Sequence, residues 1–245
     1  MNRVFLFLLL SLFYSQATVN AQTADELFQS GNEKVSAGRH LDALQDFNNA
    51  ILLNADFMEA YFKRAQILFD LGDNTGTIRD CNTVITLSPD HIDAYLYRGK
   101  AKDKIGNNSS AIIDFNAVIN LDSVCAEAYY WRGRSEKALK NYEGAIADYN
   151  KAIEIKPDYA EAYNYRAIAK FYSEDDKGAL EDFKKAIELA PDNGDIYYDL
   201  GYFYYYSGED TDACSTWLKA SELGNATAKE MHKKYCEHVN ASAGN

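Results

Sequence analysis

The chain has 245 residues, of which 47% are apolar and 25% charged. That composition supports a folded core and excludes a disordered chain. The formal charge is −12, with 37 acids against 25 lysines and arginines and no cluster of basic residues. Such a balance argues against nucleic acid and anionic membrane surfaces as partners.

The N-terminus comes first. Arg3 supplies an early positive charge, and Val4 to Phe13 is apolar but for Ser11. Small residues at Val19-Asn20-Ala21 then offer a peptidase site, with Gln22 as the expected mature start. This layout predicts a secretory signal peptide over 1–21. The apolar run falls short of the roughly 20 residues that a bilayer span needs, and no later segment reads as one. The expected location is therefore outside the cytoplasm: periplasm, cell surface or secreted.

From Asp25 onward the chain repeats every 34 residues. Amphipathic helical segments open at Asp25, Glu59, Asp93, Glu127, Glu161 and Asp195. A second set opens at Asp42, Gly76, Ser110, Gly144, Gly178 and Asp212. Apolar residues recur at spacings of three and four in both sets. The acids suit the positive ends of the first helices. Gly38, Gly72, Gly106 and Gly208 suit the left-handed residue that ends a helix. Pro89, Pro157 and Pro191 follow three of the second helices.

Small and aromatic residues then fall at fixed places. In 126–159 these are Tyr129, Gly133, Ala145, Tyr149, Ala152 and Pro157; in 160–193, Tyr163, Ala167, Ala179, Phe183, Ala186 and Pro191. With these residues the chain resembles the tetratricopeptide repeat family. The resemblance implies an all-α, right-handed superhelical solenoid of six helix-turn-helix repeats: 24–57, 58–91, 92–125, 126–159, 160–193 and 194–227. A capping helix is expected over 226–239, the domain spans 22–240, and 241–245 reads as a disordered tail.

The resemblance also implies a concave groove lined by the first helices, at repeat positions 2, 5, 9, 12 and 13. Here it would present Phe62, Gln66, Phe69, Lys100, Asp103, Tyr130, Arg134, Lys137, Asn164, Ile168, Phe171, Tyr198, Tyr202 and Tyr205. Tyr198, Tyr202 and Tyr205 would form a stripe surplus to packing, the core places of that helix being assigned to Tyr197, Gly201 and Tyr204. One subgroup of the family clamps acidic chaperone tails. Of its clamp only Asn32 is present, with Phe28, Lys63, Asp93 and Tyr97 in the other places, so that partner class is not expected.

Arginine recurs at repeat position 7 (Arg64, Arg98, Arg132, Arg166) and aspartate at position 23 (Asp46, Asp80, Asp114, Asp148, Asp182). A ladder of structural ion pairs is one reading and a row of anion sites the other; the spacing leaves open whether pairs form within or between repeats. Cys214 and Cys236 lie a similar distance from the turn near Gly224-Asn225, so a hairpin would bring them side by side. A disulfide pinning the cap, two buried thiols, or a zinc site with His232 all remain open. Cys81 and Cys125 read as separate buried residues.

His40, His91, His232 and His238 sit in expected loops or the cap, and no nucleophile motif or phosphate loop is present. The expectation is a non-enzymatic scaffold without cofactor that binds a protein or peptide. A small-molecule or metal binder and a self-associating assembly unit are the alternatives.

Overall fold

The computed structural model of the chain describes residues 22–236. The expected signal peptide, the end of the expected capping helix with His238, and the expected tail lie outside the described residues. The described residues form thirteen α-helices and no strand. They divide into two compact units, one up to Pro89 and one from Asp90.

The first unit holds α1 (Ala24–Ser36), α2 (His40–Leu53), α3 (Met58–Asp70) and α4 (Asn74–Leu87). The second holds α5 (Ile92–Lys104), α6 (Asn108–Leu121), α7 (Ala126–Ala138), α8 (Tyr142–Ile155), α9 (Ala160–Tyr172), α10 (Asp176–Leu189), α11 (Gly194–Tyr206), α12 (Asp210–Glu222) and α13 (Ala226–Cys236). Each odd-numbered helix up to α11 opens a repeat and packs on the even-numbered helix that follows. In the second unit α5, α7, α9 and α11 also pack on one another in sequence, which builds one face from first helices alone.

Local chemistry sets these boundaries. Thr23 and Glu26 close a capping box at the start of α1. Asp73, Asn141 and Asp175 cap the second helices α4, α8 and α10 by accepting from the backbone N–H three residues on. Gly38, Gly72, Gly106 and Gly208 all have positive φ after first helices. At the same repeat position Lys140 and Glu174 adopt φ of 63° and 66° without being glycine, at a cost of about 1 kcal/mol each.

Close approach explains the small residues of repeat position 8. A Cβ at Gly133 would come within 2.8 Å of Tyr149 Cε1. The aromatic of position 24 is therefore seated on the small residue of its own repeat. It reaches the next repeat as well: Tyr149 packs with Ala162 and Ala169, and Phe183 with Leu200 and Phe203.

Candidate functional site

Each recurring arginine lies against the aspartate of its own repeat. Arg64 Nε donates to Asp80 at 2.6 Å and Nη2 to the other carboxylate oxygen at 2.7 Å. The same fork joins Arg98 to Asp114, Arg132 to Asp148 and Arg166 to Asp182. Each guanidinium also lies over the tyrosine three residues before it, at 5.1–5.4 Å for Tyr61, Tyr95, Tyr129 and Tyr163. A further contact runs backward along the stack. Nη1 of Arg64, Arg132 and Arg166 donates to Asn48, Asn116 and Asn150 of the preceding repeat, each at 2.6 Å.

The asparagines at position 25 were missed in the sequence, although their recurrence was a usable signal. In repeat one Ser30 replaces the arginine, and Asp46 takes Ser30 and Lys34 instead. Burial raises the Asp46 carboxyl, but these two donors prevail and leave it below its ordinary value. At Asp148 burial outweighs the hydrogen bonds and charge of Arg132, so that carboxyl stands above its ordinary value. These side chains are tied to each other, which leaves no row of vacant cationic sites at Arg64, Arg132 and Arg166.

The face built by α5, α7, α9 and α11 is different. Aromatics at repeat position 6 alternate there with cations at position 9 and, in repeat four, also position 12. Lys100 lies over Tyr97 at 5.0 Å and Trp131 at 5.8 Å. Arg134 lies over Trp131 at 4.4 Å and Tyr165 at 5.2 Å. Lys137 lies over Tyr165 at 4.7 Å. This staircase of rings and cations ends at Asp199, the position-6 residue of repeat six.

Two clefts open beside it. One, of about 420 Å³, is lined by Asp103, Asn108, Arg134, Lys137, Ala138, Lys140, Tyr142, Tyr165 and Tyr172. The other, of about 220 Å³, is lined by Lys137, Ile168, Phe171, Tyr172, Phe183, Tyr198, Asp199, Tyr202 and Phe203. Lys137 and Tyr172 belong to both. Burial pushes the Asp199 carboxyl up to about 6, against the Asn164 hydrogen bond and the Lys137 charge. Burial likewise lowers the Lys137 ammonium, against the pull of Asp199.

The clefts gather Asp103, Arg134, Lys137, Ile168, Phe171, Tyr198 and Tyr202 from the expected groove. Three expected members are buried instead. Tyr130 is buried among Tyr149, Tyr159 and Tyr165, so its ring fills the core. Lys100 is buried and ion-paired with Glu127. Asn164 is buried and donates to Asp199 at 2.6 Å. Phe62, Gln66 and Phe69 are half-buried on α3, in the first unit. Tyr165 and Asp199 were not anticipated, because position 6 was not counted among the groove positions; Tyr142 stands on a second helix, and Tyr172, at the counted position 13, was passed over.

Residues 28–92 match the family described as tetratricopeptide repeat, and residues 133–173 and 169–208 match TPR repeat. The chain belongs to the tetratricopeptide repeat family. Among solved structures, a tetratricopeptide repeat protein from Parabacteroides merdae is 22% identical over 88% of this chain and 85% of its own, with a TM-score of 0.72. MamA from Desulfovibrio magneticus is 23% identical over 68% of this chain and 94% of its own, at 0.65. YrrB, described as a TPR protein with an unusual peptide-binding site, is 19% identical over 77% and 97%, at 0.56. At such identities the likeness is one of fold. No curated protein matches the chain.

The last tetratricopeptide repeat is closed by other means. Cys214 and Cys236 form a disulfide that ties α12 to α13, with Cα atoms 5.6 Å apart. Bonded sulfurs offer no thiolate to a metal, so the zinc reading of this corner is not carried forward. Tyr205 sits at 4.9 Å from Tyr235 of the cap and 5.6 Å from Trp217. It is therefore part of the cap packing rather than of a stripe with Tyr198 and Tyr202. The buried residues of α11 are Ile196, Leu200, Gly201 and Phe203, while Tyr197 and Tyr204 are half-buried; the expected core places shift accordingly. Cys81 is buried and Cys125 half-buried.

Proposed function

We propose that the chain is an exported scaffold that docks a segment of another protein, without turnover, along the face of α5, α7, α9 and α11. One observation carries this reading. Arg134 and Lys137 of the staircase, with the rings of Tyr165, Phe171, Tyr172, Tyr198 and Tyr202, line open clefts on the face built by the first helices. The core beneath is already filled by Phe115, Tyr149 and Phe183. Rigid aromatics with a few charged groups among them are what peptide recognition uses. Fold alone does not give the partner.

Export is supported by the charged and apolar order of residues 3–21 and by a disulfide at Cys214–Cys236, since such bonds persist in oxidising compartments. Fractionation with mass measurement of the mature chain tests it: a chain retained with Met1 in the cytoplasm would refute export.

Docking is tested by affinity capture from envelope extract, comparing the wild type with Phe171→Ser/Tyr202→Ser. The variant should lose the captured protein while its own oligomeric state is unchanged. A variant that changes self-association and no heterologous capture would instead favour an assembly unit.

A further inference from the structure

We propose that the cleft at the ends of α5, α7 and α9 seats a side-chain carboxylate of the docked segment, held between Arg134 and Lys137 with Lys140 at the rim. The inference deepens the scaffold reading and rests on it.

The cleft wall carries Arg134, Lys137 and Lys140 against a single carboxylate, Asp103. In a chain of net charge −12 this is a local reversal of sign. Asp103 offsets part of it, one carboxylate against three cations. Its carboxylate already accepts from Ser135 Oγ at 2.8 Å, and Arg134 Nη2 approaches it no closer than 3.5 Å.

Arg134 is fixed without being used up. Trp131 and Tyr165 engage the guanidinium through their faces. A guanidinium donates in its own plane, so stacking leaves its N–H groups for an acceptor that approaches edge-on. Lys137 is held over Tyr165. Ion pairs within 4 Å join the other staircase cations, Lys100 and Arg134, to carboxylates; among the described residues none joins Lys137. Rings hold a cation in place but do not neutralise it. A half-buried ammonium sits beside a guanidinium whose paired carboxylate is 3.5 Å away, a geometry suited to a forked acceptor.

The neighbouring wall says what flanks that carboxylate. Tyr142 and Tyr172 stack at 5.3 Å, 12° from parallel, and Tyr172 is 49% exposed. A flat group next to the acid would lie on this wall. The occupant is thus an acidic segment with an adjacent aromatic. The residues involved lie in repeats three to five, away from the incomplete clamp positions Phe28 and Lys63.

Calorimetric titration with a synthetic nonapeptide tests this. The peptide is acetylated and amidated, carries two glutamates and one phenylalanine in a glycine-serine background, and is compared with its glutamine analogue. The glutamate peptide should bind at least about tenfold more tightly and weaken as salt rises. Arg134→Gln/Lys137→Gln should erase that preference. Lys140→Ala, at an exposed rim position that leaves the stacked rings intact, should reduce it about twofold to threefold. Equal binding of the two peptides by the wild type overturns the proposal, as does a preference that survives both variants. Capture lost in Phe171→Ser/Tyr202→Ser but indifferent to Arg134→Gln/Lys137→Gln sinks the carboxylate site and leaves the scaffold standing. Capture unchanged in both sinks the scaffold itself.

Discussion

Repeats four and six meet the same packing demand with different chemistry. In repeat four Arg132 forks onto Asp148, covers Tyr129 and reaches back to Asn116 of repeat three. In repeat six the corresponding residues are Leu200 and Thr216, and Lys184 of repeat five stands where the asparagine would be. Arginine, aspartate and asparagine are lost together. Leu200 instead packs with Ala167, Phe183 and Phe203, and the open end is closed by Trp217, Tyr235 and a disulfide. The comparison teaches that the arginine is one part of a three-residue joint. A charged joint fixes the register of a repeat on its predecessor, where directional bonds discriminate. In repeat six an apolar contact of Leu200 takes that place against repeat five, and a disulfide holds α13 on the other side.

The largest effect should come from forcing one chemistry onto the other. Arg132→Leu places the residue of repeat six in repeat four and strands Asp148, which is buried. The expected loss is about 3 kcal/mol, read by thermal or urea unfolding. Arg132→Leu/Asp148→Thr should recover most of it, because the stranded carboxylate carries the cost. If the single and double variants melt alike, the joint is not the reason for the pair.

Next comes the closure. Cys214→Ser/Cys236→Ser should lower stability by about 2–3 kcal/mol for a loop of 22 residues. Hydrogen exchange should rise first in α13. Reductant should have the same effect on the wild type and none on the variant.

A smaller effect separates the two ends of the staircase. Asp199 has a folded-state carboxyl near 6, above its ordinary range. Such a group binds its proton more tightly folded than unfolded. Its favourable contribution is therefore complete at low pH and is lost as pH rises through about 6. Asp199→Asn should then stabilise the chain by on the order of 1 kcal/mol at pH 7.5 and change little at pH 3.5. A stability gain equal at both values would contradict the burial argument.

The smallest expected change is at Lys140, where a non-glycine residue holds φ of 63°. Lys140→Gly should raise the melting midpoint by the equivalent of about 0.5–1 kcal/mol. It should also weaken the glutamate peptide, opposing stability to binding at one position.

The fold was legible because a tandem repeat states its period many times over. Acids at the first helices, glycines at their ends and small residues at position 8 recur often enough to place every hairpin of the described residues. The ion pairs and the half-cystine pairing were legible as candidates, since spacing brings Arg132 near Asp148 and Cys214 near Cys236. What the spacing could not decide was which carboxylate each arginine takes. That depends on the angle between helices, which set the fork within the repeat and sent the third nitrogen back to Asn116.

The groove was legible only in part. Helical periodicity assigns Lys100, Tyr130 and Asn164 to the face that holds Arg134 and Lys137. Depth on a face depends on how closely the neighbouring helix approaches, which a single helix does not encode. Packing sank Tyr130 and Asn164 into the interior and raised Tyr165, Tyr172 and Asp199 to the cleft walls. The sequence by itself determined the repeat, its hairpins and the residues available on each face. Tertiary structure alone decided which of them are buried, stacked or left with a charge to share, because these outcomes arise from contacts between helices rather than from the order of residues along one.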